Sequence, residues 1–195
     1  MHRFAGATLI ALCLSSSTQA TTVVAPSFEQ LVSQADIVFE GEVIDTRARI
    51  GAARDGSPIV TDVYFRVARP LKGAPAPTLV LQFLGGEIDD RRLTVDGMPR
   101  FVRGDRDVIF AVTSTTRISP LVGLMHGRVR ITAEGDGKQD TVRLFDGTPL
   151  RAVDALGATR RQPLLAARPA MSLAAFESAI VSEVARQDAA RARPR

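Results

Sequence analysis

Residues 61–69 read Thr61-Asp-Val-Tyr-Phe-Arg-Val-Ala-Arg69, and apolar and polar side chains alternate along them. Successive side chains of a β-strand point to opposite faces, so the alternation places Val63, Phe65 and Val67 on one face and polar residues on the other. An apolar face of this kind needs a core to cover it. The stretch therefore predicts a strand of a half-buried sheet, and it indicates a mainly β protein.

The same period of two recurs along the chain. Upstream, Asp36-Ile-Val-Phe-Glu-Gly-Glu-Val-Ile-Asp45 predicts a strand, and residues 51–58 have the composition of a turn. Downstream, the sequence predicts a strand around Leu79, Leu81 and Phe83, and then a strand in which Val108, Phe110 and Val112 point inward. Two further strands are predicted over 122–131 and over 141–145. Gly123 and Gly127 interrupt the strand at 122–131, and such glycines often mark bends at barrel corners. Short antiparallel strands with glycine bends favour a closed barrel or a sandwich.

Two helices are predicted to flank the strands. Ser27-Phe-Glu-Gln30 is a capping box that begins a short helix over 27–35. Ser172 caps a second helix, which carries an apolar stripe of Leu173, Phe176, Ile180, Val181 and Val184. Its polar side is predicted to hold Glu177, Ser178 and Glu183. The stripe packs most simply on the barrel, and a partner-binding helix is the alternative.

The ends of the chain are predicted to lie outside the folded domain. Residues 1–20 have the layout of a signal peptide: a positive start, an apolar run over 4–14 and small residues before cleavage after Ala20. We therefore expect an exported protein, periplasmic or extracellular, without a transmembrane segment after cleavage. Lipidation at Cys13 is the alternative, and Cys13 is the only cysteine. The predicted parts that follow are a barrel domain over 21–150, a surface linker over 151–170, the C-terminal helix over 171–190 and a basic tail over 191–195.

Three segments carry a resemblance to a known group of proteins. They are Ala35-Asp-Ile-Val-Phe-Glu-Gly-Glu-Val43, Phe65-Arg-Val-Ala-Arg-Pro-Leu-Lys-Gly73 and Phe101-Val-Arg-Gly-Asp-Arg-Asp-Val-Ile-Phe110. Over residues 27–131 the order of elements resembles the netrin-like and tissue-inhibitor-of-metalloproteinase group, and exported bacterial proteins of similar layout. The resemblance implies a five- to six-stranded antiparallel OB-like barrel and an inhibitor-like or protease-associated module. Those inhibitors use an N-terminal cysteine, which the chain after Ala20 lacks, so that inhibitory mechanism does not carry over.

The distribution of charge argues against nucleic-acid binding. The whole chain has a net charge of +4, but residues 21–150 hold 16 Lys and Arg against 17 Asp and Glu. The excess of basic residues therefore belongs to the C-terminal part. The chain also has one tyrosine and no tryptophan, which leaves few rings for base stacking. We predict no nucleic-acid partner.

Residues 84–101 form the most highly charged gap between predicted strands. Asp96-Gly97 is a two-residue turn signal, which predicts a hairpin that either projects from the barrel or folds back to close it. Its apolar and charged side chains are typical of an interaction surface. We predict a non-enzymatic protein that binds a protein or envelope partner through Glu87, Asp89, Asp90, Arg91, Arg92, Leu93, Val95, Met98 and Arg100.

Two other functions are left open by the same residues. The loop carboxylates could bind calcium, although their spacing matches no calcium loop and arginines already lie beside them. A hydrolase would have to use His126, the only histidine after the signal, with loop carboxylates or with Ser33, Ser114 or Ser119 as nucleophile. Gly85-Gly86 lacks the lysine and helix of a phosphate-binding loop. The sequence therefore predicts no cofactor, no catalytic residue and no metal ligand.

Overall fold

The computed structural model describes residues 24–52, 57–113, 118–133, 139–157 and 168–193. The predicted signal peptide and Cys13 lie outside these ranges, as do Ser114 and residues 158–167, which are half of the predicted linker. None of the described helices has the length and hydropathy of a membrane-spanning segment.

Over these described ranges the protein is mainly β, with six strands in one antiparallel sheet, a two-stranded hairpin and two α-helices. The helices are α1 (Phe28–Gln34) and α2 (Leu173–Arg191). The strands are β1 (Ile37–Ile50), β2 (Ile59–Lys72), β3 (Thr78–Leu84), β4 (Gly86–Ile88), β5 (Arg91–Leu93), β6 (Arg106–Ala111), β7 (Arg128–Thr132) and β8 (Thr141–Arg143). The large sheet has the order β3-β2-β1-β6-β7-β8, and β4 pairs with β5.

The sheet is not closed, so the predicted barrel is wrong on this point. The outer strands β3 and β8 do not pair with each other. Other segments already bond to both edges, since the Leu84 amide of β3 donates to the Ile118 carbonyl and β8 forms bridges to Pro149 and Ser172. In addition, β8 has only 3 residues. Closing a barrel needs a continuous ladder between the end strands, which these edges do not provide.

The two longest strands confirm the alternation from which the fold was predicted. β1 and β2 each have 14 residues and form an antiparallel ribbon. Phe39, Val43, Val63 and Phe65 are buried on one face of it. The pairing shifts register at three places, and such bulges bend and twist a ribbon so that it can wrap around a core.

The sheet is buried on both faces. The helix face, covered by α1 and α2, carries a core that includes Val38, Val108, Phe110, Val129 and Val142. The opposite face, which we call the loop face, carries a second core that includes Phe39, Phe65, Phe83 and Ile109. The sequence placed Val108, Phe110 and Val112 inward, but Ile109 and Ala111 between them are just as buried because β6 lies between the two cores.

The N-terminal helix forms as predicted, and the C-terminal helix is rotated from its predicted orientation. The capping box is present, with the Ser27 amide 2.8 Å from Oε1 of Gln30. In α2, Phe176 and Ile180 are buried, but Val181 is 49% exposed. Glu177 and Glu183, predicted to be on the polar side, are buried instead. Both carboxylates have arginine partners, which makes their burial tolerable.

The strand predicted over 122–131 is only half correct. Residues Leu124–Gly127 form a 3-10 helix, and the strand begins at Arg128. Gly123 and Leu124 both have positive φ angles, of 62° and 61°, which turn the chain away from extended geometry. The strand predicted over 141–145 is present as β8 but ends at Arg143.

Candidate functional site: a cleft between the 84–101 loop and the sheet

The first half of the predicted interaction loop forms the hairpin β4–β5. Its turn lies at Asp89-Asp90 and not at Asp96-Gly97, so the sequence placed the hairpin turn in the wrong position. Asp89 adopts a φ of 52°, a left-handed conformation that aspartate tolerates better than most residues. Across the hairpin, Nη2 of Arg92 lies 2.6 Å from Oε2 of Glu87.

The second half of the loop folds back over the loop face. A turn does form at the predicted Asp96-Gly97 signal, where the Met98 amide donates to the Val95 carbonyl at 3.1 Å. Gly97 has a φ of 76°, and a Cβ there would lie 2.7 Å from Cε of Met125, so this tip lies against the chain before β7. The loop thus forms a charged hairpin with an exposed turn and then crosses back over the sheet.

The returning segment packs on the second core through its apolar side chains. The Phe101 ring lies 5.4 Å from the Phe65 ring and 5.0 Å from the Phe83 ring, measured between centroids. Met98 is half-buried against the same core. Met98 was predicted as part of an interaction surface, and the structure gives it a packing role at the same time.

A cleft of about 340 Å³ lies between the loop and the loop face of the sheet. The sheet supplies Thr46, Thr61, Val63 and Phe83, and the loop supplies most of the other lining side chains. Six of the nine predicted residues line it, namely Glu87, Arg92, Leu93, Val95, Met98 and Arg100. The other three, Asp89, Asp90 and Arg91, are exposed at the hairpin turn and do not line it.

The charged groups of the cleft leave one cation without a counter-charge. Arg92 is neutralised by Glu87 across the hairpin. Arg100 is exposed, and within the described part of the chain its guanidinium has no hydrogen bond or ion pair. The lining therefore combines apolar walls, threonine hydroxyls and one unpaired positive charge.

Arg128 fastens the end of the loop to the sheet, and the sequence analysis missed it. Its guanidinium is 5% exposed and donates from Nε to Oδ1 of Asp107 at 2.9 Å and from Nη2 to Oδ2 of Asp105 at 2.8 Å. The third donor, Nη1, bonds to the Arg100 carbonyl oxygen. The same guanidinium lies 4.2 Å from the centre of the Phe101 ring. The Arg128 side chain thereby holds Arg100 and Phe101, the last two residues of the loop, against the sheet.

The two aspartates of this cluster have different environments. Asp107 is fully buried, and within the described residues its Oδ2 has no hydrogen-bond partner, so burial raises the pKa of its carboxyl despite Arg128. Burial also opposes ionisation of Asp105, but hydrogen bonds from the Val102 amide and Arg128 hold the pKa of Asp105 below its ordinary value. No spacing pattern links Asp107 to Arg128, and only the position of Asp107 next to an apolar run hinted at burial.

The hydrolase alternative gains no support from the contacts of the described residues. The His126 ring packs edge-on against Phe145, with centroids 5.1 Å apart, and burial lowers its pKa while Asp146 opposes that shift. Among the described residues the imidazole bonds to no serine or carboxylate. The Ser33 hydroxyl donates to the Gln30 carbonyl, and the Ser119 hydroxyl accepts from the Leu121 amide.

The acidic residues of the loop are also not arranged around a common point. In the described ranges, no three histidine, aspartate or glutamate side chains lie close enough together to hold a metal ion. The calcium alternative therefore gains no support from the geometry.

Comparison with known proteins gives no relative from which a function could be transferred. No protein-family model, curated protein or solved structure matches this chain. The netrin-like resemblance stays a prediction from three short segments.

Proposed function

We propose that this chain is a non-enzymatic binding protein that acts through the 84–101 loop on a protein or an envelope component, and that an apolar group of the partner enters the cleft. The observation that carries the proposal is the cleft of about 340 Å³ between the loop and the sheet. Ligand sites commonly measure about 300–1,000 Å³ and have apolar walls with a few polar groups. This cleft has both properties.

The two halves of the loop suit different parts of such a partner. Leu93, Val95 and Met98 offer an apolar lining. The exposed hairpin turn at Asp89-Asp90 offers charges that orient the partner but add little affinity, as rim charges usually do. The export predicted from residues 1–20 would bring the protein to envelope partners.

Filling the cleft tests this proposal. Val95→Trp places a large ring in the lining, and Val80→Trp makes the same change at a 46% exposed position of β3 that does not line the cleft. The chain has no tryptophan, so the fluorescence of each variant also reports whether it is folded.

The assay is crosslinking of the purified protein to the envelope and secreted fractions of the producing cells. We expect wild type and Val80→Trp to capture the same partner and Val95→Trp to lose it. Equal capture by folded Val95→Trp, or no partner captured by wild type, would overturn the proposal.

A further inference from the structure

Arg100 gives the cleft a preference for one kind of ligand charge. Of the charged side chains that line it, Arg92 and Glu87 neutralise each other at 2.6 Å, and Arg100 remains. Its side chain has no acidic partner among the described residues. A guanidinium is planar and binds a carboxylate through two parallel hydrogen bonds, so a carboxylate is the group that best satisfies it.

The backbone of Arg100 is held in place before any ligand arrives. Arg128 donates to the Arg100 carbonyl oxygen and stacks 4.2 Å from the Phe101 ring, while its other donors bond to Asp105 and Asp107. A binding group on a fixed backbone loses less conformational entropy when it binds. The backbone from which the Arg100 side chain extends is therefore fixed beside an apolar chamber.

The chamber limits the size of the apolar part. A cleft of about 340 Å³ lies at the lower end of the range of small-molecule sites, about 300–1,000 Å³. Val63, Phe83, Leu93, Val95, Met98 and Phe101 surround this space without adding a further charge. That size fits a medium-length hydrocarbon chain with a single charged end.

We propose that the cleft binds a single-chain amphiphile with a carboxylate head, in which the head group pairs with Arg100 and the hydrocarbon chain lies between the loop and the sheet. This inference rests on the proposed function and specifies the envelope component as a lipid-like anion. Charge complementarity at Arg100 selects it over a neutral or cationic amphiphile, because the other two charged lining residues, Glu87 and Arg92, are already paired with each other.

The test is calorimetric titration of the full chain with decanoate, below its micelle concentration, and with decanol as the uncharged probe of equal chain length. The informative variant is Arg100→Gln. Arg103→Gln is the matched control because Arg103 is an exposed arginine three residues further along the chain that does not line the cleft. Arg100→Lys keeps the charge and removes the planar fork.

We expect Arg100→Gln to weaken decanoate binding about tenfold or more, and Arg103→Gln to leave it unchanged. Arg100→Lys is expected to fall between them. Decanol should bind all four proteins equally, which also shows that the cleft is intact in each variant.

Three results would overturn the inference. If decanoate binding is equal in wild type and Arg100→Gln but lost in Val95→Trp, the cleft binds ligands and the assignment of the head group is wrong. If neither probe binds wild type, the lipid-like ligand is wrong, and partner capture by wild type decides the proposed function separately. If an apolar peptide with a free C-terminal carboxylate binds more tightly than decanoate and needs Arg100, the ligand is a polypeptide end.

Discussion

The two faces of the sheet are covered by different kinds of structure. On the helix face, α1 and α2 bring regular rows of side chains to the sheet, and Phe176 lies 6.2 Å from both Phe28 and Phe110. On the loop face, an irregular segment crosses the sheet and packs through Phe101 and Met98. Between this segment and the sheet lies a cleft of about 340 Å³.

The difference follows from how each cover satisfies its backbone. A helix bonds its own amides and carbonyls, so its side chains are free to fill the core. A loop must find partners for these groups elsewhere, and this one uses the buried guanidinium of Arg128 for its Arg100 carbonyl. The cleft and the fully buried pair of Arg128 with Asp107 both lie on the loop face, and the proposed function is placed there for that reason.

The largest expected loss of stability comes from removing one phenylalanine ring from each face of the sheet. Phe176→Ala should lower the free energy of unfolding toward the upper end of about 3–5 kcal/mol, because Phe176 is fully buried between two rings. Phe101→Ala should cost about 2 kcal/mol, since Phe101 is only half-buried and already borders open space. Urea denaturation of both variants measures the difference.

The same pair of variants also separates stability from binding. Folded Phe176→Ala should bind cleft ligands as wild type does, and Phe101→Ala should bind them more weakly. Equal losses of stability on the two faces would show that the loop packs as tightly as the helices and that the contrast between them is wrong.

A smaller effect is expected from releasing the end of the loop. Arg128→Met keeps much of the side-chain volume but leaves Asp107 buried without a counter-charge, which should cost about 3 kcal/mol. The variant should also bind decanoate less tightly than wild type, because the Arg100 carbonyl loses its donor.

Arg130→Met is the matched control for this change. Arg130 lies on the same strand and reaches Asp105 at 3.4 Å, but its side chain is 46% exposed. Exposed ion pairs contribute about 0–1 kcal/mol, so this variant should be nearly neutral in thermal and urea unfolding. A similar loss in both variants would mean that burial of the Arg128 cluster has no special role in holding the loop.

The parts of the fold that depend on local sequence could be predicted. The alternation around Phe39 and Phe65 and the Ser27 capping box depend on neighbouring residues alone, and the structure confirms them. Closure of the barrel depends on whether two distant edges meet. The bridges from β8 to Pro149 and Ser172 leave no signature in either segment.

The candidate site shows the same limit. The composition of the loop indicated six residues that do line the cleft, among them Arg100 and Val95. The other wall includes Val63 and Phe83, which have the sequence pattern of ordinary core residues. They border a cavity only because the 84–101 loop folds back over them. The pairing of Asp107 with Arg128, 21 residues apart, likewise depends on the register of β6 and β7.

The smallest expected effect is a dependence of stability on pH that arises from Glu177 and Glu183, two buried glutamates of α2. Burial raises the pKa of Glu177 above its ordinary 4.5; Arg69 opposes the rise and Glu40 adds to it. Because the folded-state pKa is the higher one, the stability associated with Glu177 is fully present below pH 4.5 and is lost as the pH rises through the folded-state value. Because glutamine does not ionise, Glu177→Gln should remove this loss of stability at higher pH.

Glu183 provides an internal control of opposite sign. A hydrogen bond from Arg186 lowers the pKa of Glu183, so its contribution is present above the ordinary 4.5 and is lost as the pH falls through the folded-state value. Unfolding measured from pH 3 to pH 7 should therefore show that Glu177→Gln flattens a decline toward neutral pH and Glu183→Gln flattens a decline toward acid. Since the two residues share one helix, a change in helix propensity would shift both curves alike. Parallel curves for the two variants would contradict these opposite electrostatic environments, and would mean that the helix face tolerates its buried charges uniformly.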